Sequence, residues 1–111
     1  MRSAFTDDAK FTLRPPGRAA PLVFVGIDAV MKLFTDALAE QHDLRRHVTT
    51  NPLVERLGRR ALKVTSYLTL IIIEEGVLRV QTTGVYRDVV VPAGDGEWRI
   101  RERGLTLDAP S

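Results

Sequence analysis

No cysteine occurs among the 111 residues. That excludes a disulfide scaffold, a zinc–thiolate site, an iron–sulfur cluster and a cysteine nucleophile. Histidine is nearly as scarce. His42 and His47 are the only two, too few for a zinc site built from protein ligands alone. Neither sign of charge dominates: 16 Lys and Arg stand against 14 Asp and Glu, a net charge of +2. The nearest approach to a basic cluster is Arg56, Arg59 and Arg60, with no aromatics between them. No nucleic-acid partner is expected from such a pattern. The most apolar run, Leu68–Ile73, is far short of the ~20 residues a membrane helix requires. Met1–Asp8 holds no apolar signal core. No membrane partner is expected, and the expected location is the cytoplasm.

The composition that remains is that of a globular domain, 44% apolar and 27% charged. The length predicts a single domain over residues 1–111. Ala9–Leu13 alternates and predicts a strand. Arg14-Pro15-Pro16-Gly17 predicts a turn, because two prolines and a glycine interrupt both ladder and helix. Leu22–Val25 is a second short strand, and a β-hairpin is the simplest connection. Ile27, Val30, Met31, Phe34, Ala37 and Leu38 then recur at three- and four-residue spacing, which predicts an amphipathic helix over 27–41. Asp28 is placed to cap it or to favour its N-terminal dipole.

Near residue 43 the period changes to two. Arg45–Leu57 predicts a strand with a bend or bulge at Pro52. Ala61–Ile73 and Val77–Val91 are further strands, rich in β-branched residues. A last strand begins at Trp98, with Arg99, Arg101 and Arg103 on one face and Trp98 and Ile100 on the other. The fold class that follows is α+β. A cone-shaped, curved antiparallel sheet, made of a four-stranded meander over 44–108 and the short hairpin, wraps around one main helix.

Several stretches in this order resemble one known family. Ala4-Phe5-Thr6-Asp7-Asp8-Ala9-Lys10-Phe11 is similar to the stretch that begins its first strand. Gly26-Ile27-Asp28 is similar to the glycine that opens its third helix, and Arg46-His47-Val48-Thr49-Thr50-Asn51 to its "R-H-x-x-T-N" strand. Val64–Tyr67, Gly84–Asp88 and Gly96–Ile100 resemble the remaining three strands. Together they resemble the SnoaL-like branch of the nuclear transport factor 2-like superfamily, which includes polyketide cyclase-, dehydratase- and ketosteroid isomerase-like proteins. Members ordinarily carry two helices ahead of the first of these stretches. The resemblance therefore implies an N-terminally short domain, or a start that lies further upstream.

The resemblance implies a general base at His47, in a closed apolar pocket. Imidazole suits that task because it titrates near neutral pH. Alternation puts His47, Thr49 and Asn51 on one face. In related enzymes an aspartate of the first helix orients the histidine; Asp88, on the face of Tyr86, is the substitute this chain offers. Tyr67 and Tyr86 are candidate donors to a ligand carbonyl, and Asn51, Trp98 and Phe34 complete the expected ligand contacts. Each has a plainer reading. A strand histidine bonded to a neighbour, a solvated or salt-bridged aspartate, packed tyrosines with wet tips, and Trp98 as core all fit the same sequence. The resemblance implies no cofactor and no metal, a small hydrophobic polyketide-, steroid- or terpenoid-like ligand, and a homodimer through the sheets; association mouth against mouth, or by exchange of the N-terminal strand, is the competing mode. A cofactor-independent lyase or isomerase is one expectation. The alternatives are a non-catalytic ligand-binding or dimerisation module and an inactive, truncated family member, since one fold hosts them all.

Overall fold

The computed structural model describes residues 2–17 and 20–110. A short 3-10 turn, Arg2–Ala4, leads into β1 (Phe5–Arg14) and β2 (Leu22–Val25). Helix α1 (Ile27–Glu40) follows, then β3 (Leu44–Arg56), β4 (Leu62–Glu74), β5 (Val77–Pro92) and β6 (Trp98–Leu107). The architecture is α+β: one six-stranded sheet, ordered β2-β1-β6-β5-β4-β3, and one main helix. The meander from residue 44 is antiparallel at every pairing, and β1 and β2 form the expected hairpin. One pairing goes beyond the expectation. β1 also lies parallel to β6, with Phe11 opposite Arg103 and Leu13 opposite Leu105.

Alternation along β4 separates the two faces of the sheet. Ser66, Leu68, Leu70 and Ile72 are buried, whereas Tyr67 between them is exposed. Residues directly opposite on neighbouring strands point to the same face. The buried face therefore continues through His47 and Thr49 on β3, opposite Leu70 and Leu68. It runs on through Thr82, Gly84, Tyr86 and Asp88 on β5, opposite Leu70, Leu68, Ser66 and Val64. Three irregularities bend this face into a concavity. The register shifts between Thr50 and Leu53 on β3, between Leu70 and Ile71 on β4, and between Val89 and Val90 on β5. Extra residues at such bulges increase local twist and bend the strand.

Helix α1 forms where the spacing predicts, and its start is set by backbone rather than by Asp28. Gly26 is the N-cap at φ 91 and ψ 151, with no side-chain cap, a conformation open to glycine and strained for other residues. Its N–H donates to the Ala9 carbonyl at 2.7 Å, which ties the helix start to β1. Asp28 sits in the first turn and pairs with Arg2 at 3.1 Å, both exposed. The buried stripe of α1 meets Phe5, Ala9 and Phe11, with Val30 fully enclosed. Phe34 stands edge-on to Phe11 at 5.7 Å and tilted against Phe5 at 5.9 Å. The helix backbone lies over β1 and β2. The concave face of β3–β5 therefore has a trough between it and the far side of α1.

Gly84 sits on the floor of that trough. A Cβ there would meet the Thr106 carbonyl oxygen at 2.6 Å and the Leu105 side chain at 3.3 Å. A backbone oxygen held in the β5–β6 ladder cannot step aside. Gly84→Ala is expected to destabilise the fold by about 1–3 kcal/mol, lowering the thermal midpoint by several degrees. Differential scanning calorimetry of the variant checks this; an unchanged midpoint would mean that the β5–β6 ladder yields freely.

Candidate ligand-binding cavity

The trough holds two adjoining cavities, of about 200 and 400 Å³. Both are lined by Phe34, His47, Tyr86 and Arg103. The smaller continues over Phe11, Leu68, Leu70 and Leu105. The larger opens past Ala37, Leu38, Gln41 and Thr49. An apolar lining with a few convergent polar groups is the ordinary form of a small-molecule site.

His47 reaches the cavities because β3 pairs it with Leu70 on the concave face. Its side chain is exposed to solvent, yet the desolvation of its covered part holds its pKa below the ordinary 6.5, and the charge of Arg45 adds to the effect. The imidazole is thus neutral at pH 7 and able to accept a proton. Arg45 lies two residues before it on the same face and donates to Asp43 at 2.8 Å. Gln41 donates to the Asp43 carbonyl at 3.0 Å, which pins the connection between α1 and β3.

Behind the cavity wall, Asp88 faces the cavity-lining Arg103 across the β5–β6 ladder. Arg103 donates from Nε and Nη2 to the two Asp88 oxygens, each at 2.9 Å. Asp88 is buried, and Arg103 is mostly so. Burial works against the Arg103 charge, but the hydrogen bonds and charge of Asp88 outweigh it and raise its pKa. The guanidinium carbon also lies 4.3 Å from the centre of the Tyr86 ring, within the range of a cation–π contact. Burial is the main cause that raises the Tyr86 pKa, so its hydroxyl stays a donor at neutral pH. No buried side-chain nitrogen or oxygen among the described residues is left without a partner.

The structure brings together some of the expected residues and disperses others. His47, Tyr86 and Phe34 line one space. Asp88 sits near them on the concave face, but it is not placed as the partner of His47. Both of its oxygens serve Arg103, and no ion pair or hydrogen bond among the described residues joins a carboxylate to His47. Tyr67 lies on the convex face and is 54% exposed, because it is one residue out of phase with Leu68. Asn51 leaves the row of His47 and Thr49 at the β3 bulge, where its φ is 54. Trp98 opens β6 opposite Pro92 and is 51% exposed, outside both cavities. Nor do the three arginines of β6 share a face. Val90 pairs with Ile100 and Val89 with Glu102, so Arg101 bulges out of register. Ile100 packs towards the core and Arg103 turns to the concave face.

Arg103 is therefore the site residue that period counting misplaces. A signal for it lies on the neighbouring strand. Asp88 stands among Val85, Val89, Val90 and Val91, and a carboxylate in so apolar a strand needs a cation opposite. Among the described residues no group of three His, Asp or Glu side chains is arranged to hold a metal. No helix among them is long and apolar enough to cross a membrane.

Comparison with known proteins places this geometry. No curated protein gives a significant match. Among solved structures, ActVI-ORFA from Streptomyces coelicolor superposes with a TM-score of 0.81 at 21% identity, over 96% of this chain and 79% of that one. A protein from Catenulispora acidiphila in complex with S-DNPA gives 0.78 at 24% identity, over 96% and 75%. An NTF2-like protein with a cystatin-like fold from Novosphingobium aromaticivorans gives 0.78 at 17% identity, over 99% and 68%. At these identities the likeness establishes the fold, a curved sheet around a helix. The sequence itself matches the model of the SnoaL-like domain over residues 1–104, and by that match the chain belongs to the SnoaL-like family.

Proposed function

We propose that the chain is a lyase or isomerase acting on a hydrophobic carbonyl compound, with His47 as general base. The observation that carries the reading is a neutral histidine at an apolar cavity that Tyr86 also lines. His47 would take a proton from the carbon next to the carbonyl. The Tyr86 hydroxyl would donate to the oxygen on which negative charge develops, where a prepositioned donor is most effective. Loss of a leaving group from the next carbon completes a lyase reaction; return of the proton to a different carbon completes an isomerisation. Phe34 and the leucines keep the site apolar. One structure of the same fold, from Catenulispora acidiphila, is a complex with S-DNPA, which is compatible with a ligand-binding role for this chain.

Proton abstraction can be tested before the natural substrate is known. The protein is incubated in D2O with a panel of cyclic and aromatic ketones, and deuterium beside the carbonyl is followed by NMR. Faster exchange with the wild type than with His47→Ala is expected for at least one ketone. Equal exchange across the panel, with both proteins folded, would leave the cavity a binding site only.

We also propose that two copies associate through the convex face. The register puts Leu44, Val48, Leu53, Tyr67, Leu78 and Val80 on that side, and all six are exposed. A contiguous apolar patch of more than a few hundred Å² is unusual on a soluble monomer. Sedimentation equilibrium at micromolar concentration is expected to give the dimer mass, and Tyr67→Lys with Val80→Lys the monomer. A monomeric wild type ends the proposal.

A further inference from the structure

We infer that the cavity selects ligands carrying an anionic oxygen, a carboxylate or phenolate, and that Arg103 Nη1 is the group that reads it. The inference rests on the proposed ligand-binding role of the cavity, but not on His47 acting as a base.

The Asp88 carboxylate takes Nε and Nη2 of Arg103 and leaves Nη1 with its N–H donors. No partner for Nη1 exists among the described residues, and it is not sealed off, because no side-chain nitrogen among them is both buried and unpartnered. Arg103 lines both cavities. The guanidinium is held on one edge by Asp88 and on one face by the Tyr86 ring. Its free end therefore has a fixed direction, and ordering it costs a ligand little entropy. No carboxylate lines either cavity, whereas Arg45, Tyr86 and Arg103 all offer donors there. A neutral carbonyl could accept one of these bonds, but an ionised oxygen accepts them more strongly. Because Asp88 already neutralises the guanidinium, the preference comes from directed N–H groups at short range rather than from net charge.

The probes are 2-naphthoate and its neutral isostere 2-naphthamide, titrated into 15N-labelled protein and followed by amide chemical shifts. A hydrogen bond to a charged group outweighs a neutral one enough to predict about tenfold tighter binding of the naphthoate. The preference should vanish in the double variant Arg103→Met with Asp88→Leu, which removes the pair without stranding a buried charge. The amide should lose less affinity than the naphthoate in that variant, and its saturable binding there also reports that the cavity is intact. Equal affinity of wild type for both probes overturns the anion preference and leaves the cavity's ligand-binding role standing. Saturable binding of neither probe overturns both. A preference that survives in the double variant and disappears in Arg45→Met would assign the anion to Arg45 and also overturn the proposal.

Discussion

Arg103→Met alone is expected to destabilise the protein by about 3–5 kcal/mol, as removing one partner of a buried ion pair does. The Asp88 carboxylate would remain buried, with neither of its two bonds to the guanidinium. The loss is comparable to much of a small domain's net stability. Adding Asp88→Leu should return most of it, since a buried pair replaced by packed apolar groups is often neutral or better. The pair is therefore kept for what it positions, not for stability. Urea unfolding of wild type, single and double variants reads the difference as a shift in midpoint. A single variant as stable as wild type would mean that water reaches Asp88, and that the floor of the cavity is wetter than its burial implies.

The second large effect is expected at His47. If it is the base, His47→Ala should slow turnover about 10²–10⁴-fold and leave the thermal midpoint nearly unchanged, because the side chain lines a space rather than filling one. The pH profile carries the sign. Burial, and then the Arg45 charge, hold the imidazole pKa below 6.5, so the base is already deprotonated at neutral pH. The rate should stay level through pH 7 and fall about tenfold per pH unit below the depressed pKa. Arg45→Met removes one cause of the depression and should move that fall to higher pH. Stability follows the same linkage. The unfolded chain binds this proton at higher pH than the folded one does, so the contribution from neutral His47 is present above about 6.5 and lost as pH drops towards the folded pKa. A pH–rate fall above 6.5 would contradict the assignment.

Much of the fold is legible in the chain because its period changes cleanly, into the helix after Leu22–Val25 and out of it before Leu44. The three- and four-residue spacing of Ile27, Val30, Met31 and Phe34 ends before Leu44, and α1 gives way to β3 there. That His47, Tyr86 and Phe34 should share a pocket is implied by the family resemblance, not by period, and the three line one space. What period counting cannot supply is an absolute face. On β4 both phases are apolar, Leu68 and Leu70 in one, Tyr67, Ile71 and Ile73 in the other. Only the packing of α1 and β1 decides which is inside, and Tyr67 falls outside. Nor does a period survive a bulge. One unpaired residue at Arg101 moves Arg103 across the sheet, and another near Asn51 takes that residue out of the row of His47. The parallel contact of β1 with β6 leaves no local trace, because it joins strands far apart in the sequence.

That contact also orders events in time. β1 is synthesised before its partner β6, with β2, α1, β3, β4 and β5 between them. Until Trp98–Leu107 has left the ribosome, one edge of β1 has only solvent beside it, and Phe5 and Phe11 lack the strand against which they are finally enclosed. The hairpin with β2 and the docking of α1 can form early, since they are local. Closure of the sheet between β1 and β6 must wait for every strand between them, and such long-range pairing slows folding. The same strand that carries Arg103 into the cavity is thus the one whose arrival completes the fold. Chains released before β6 would expose an open β-edge and two unburied phenylalanines, the combination that chaperones and aggregates both recognise.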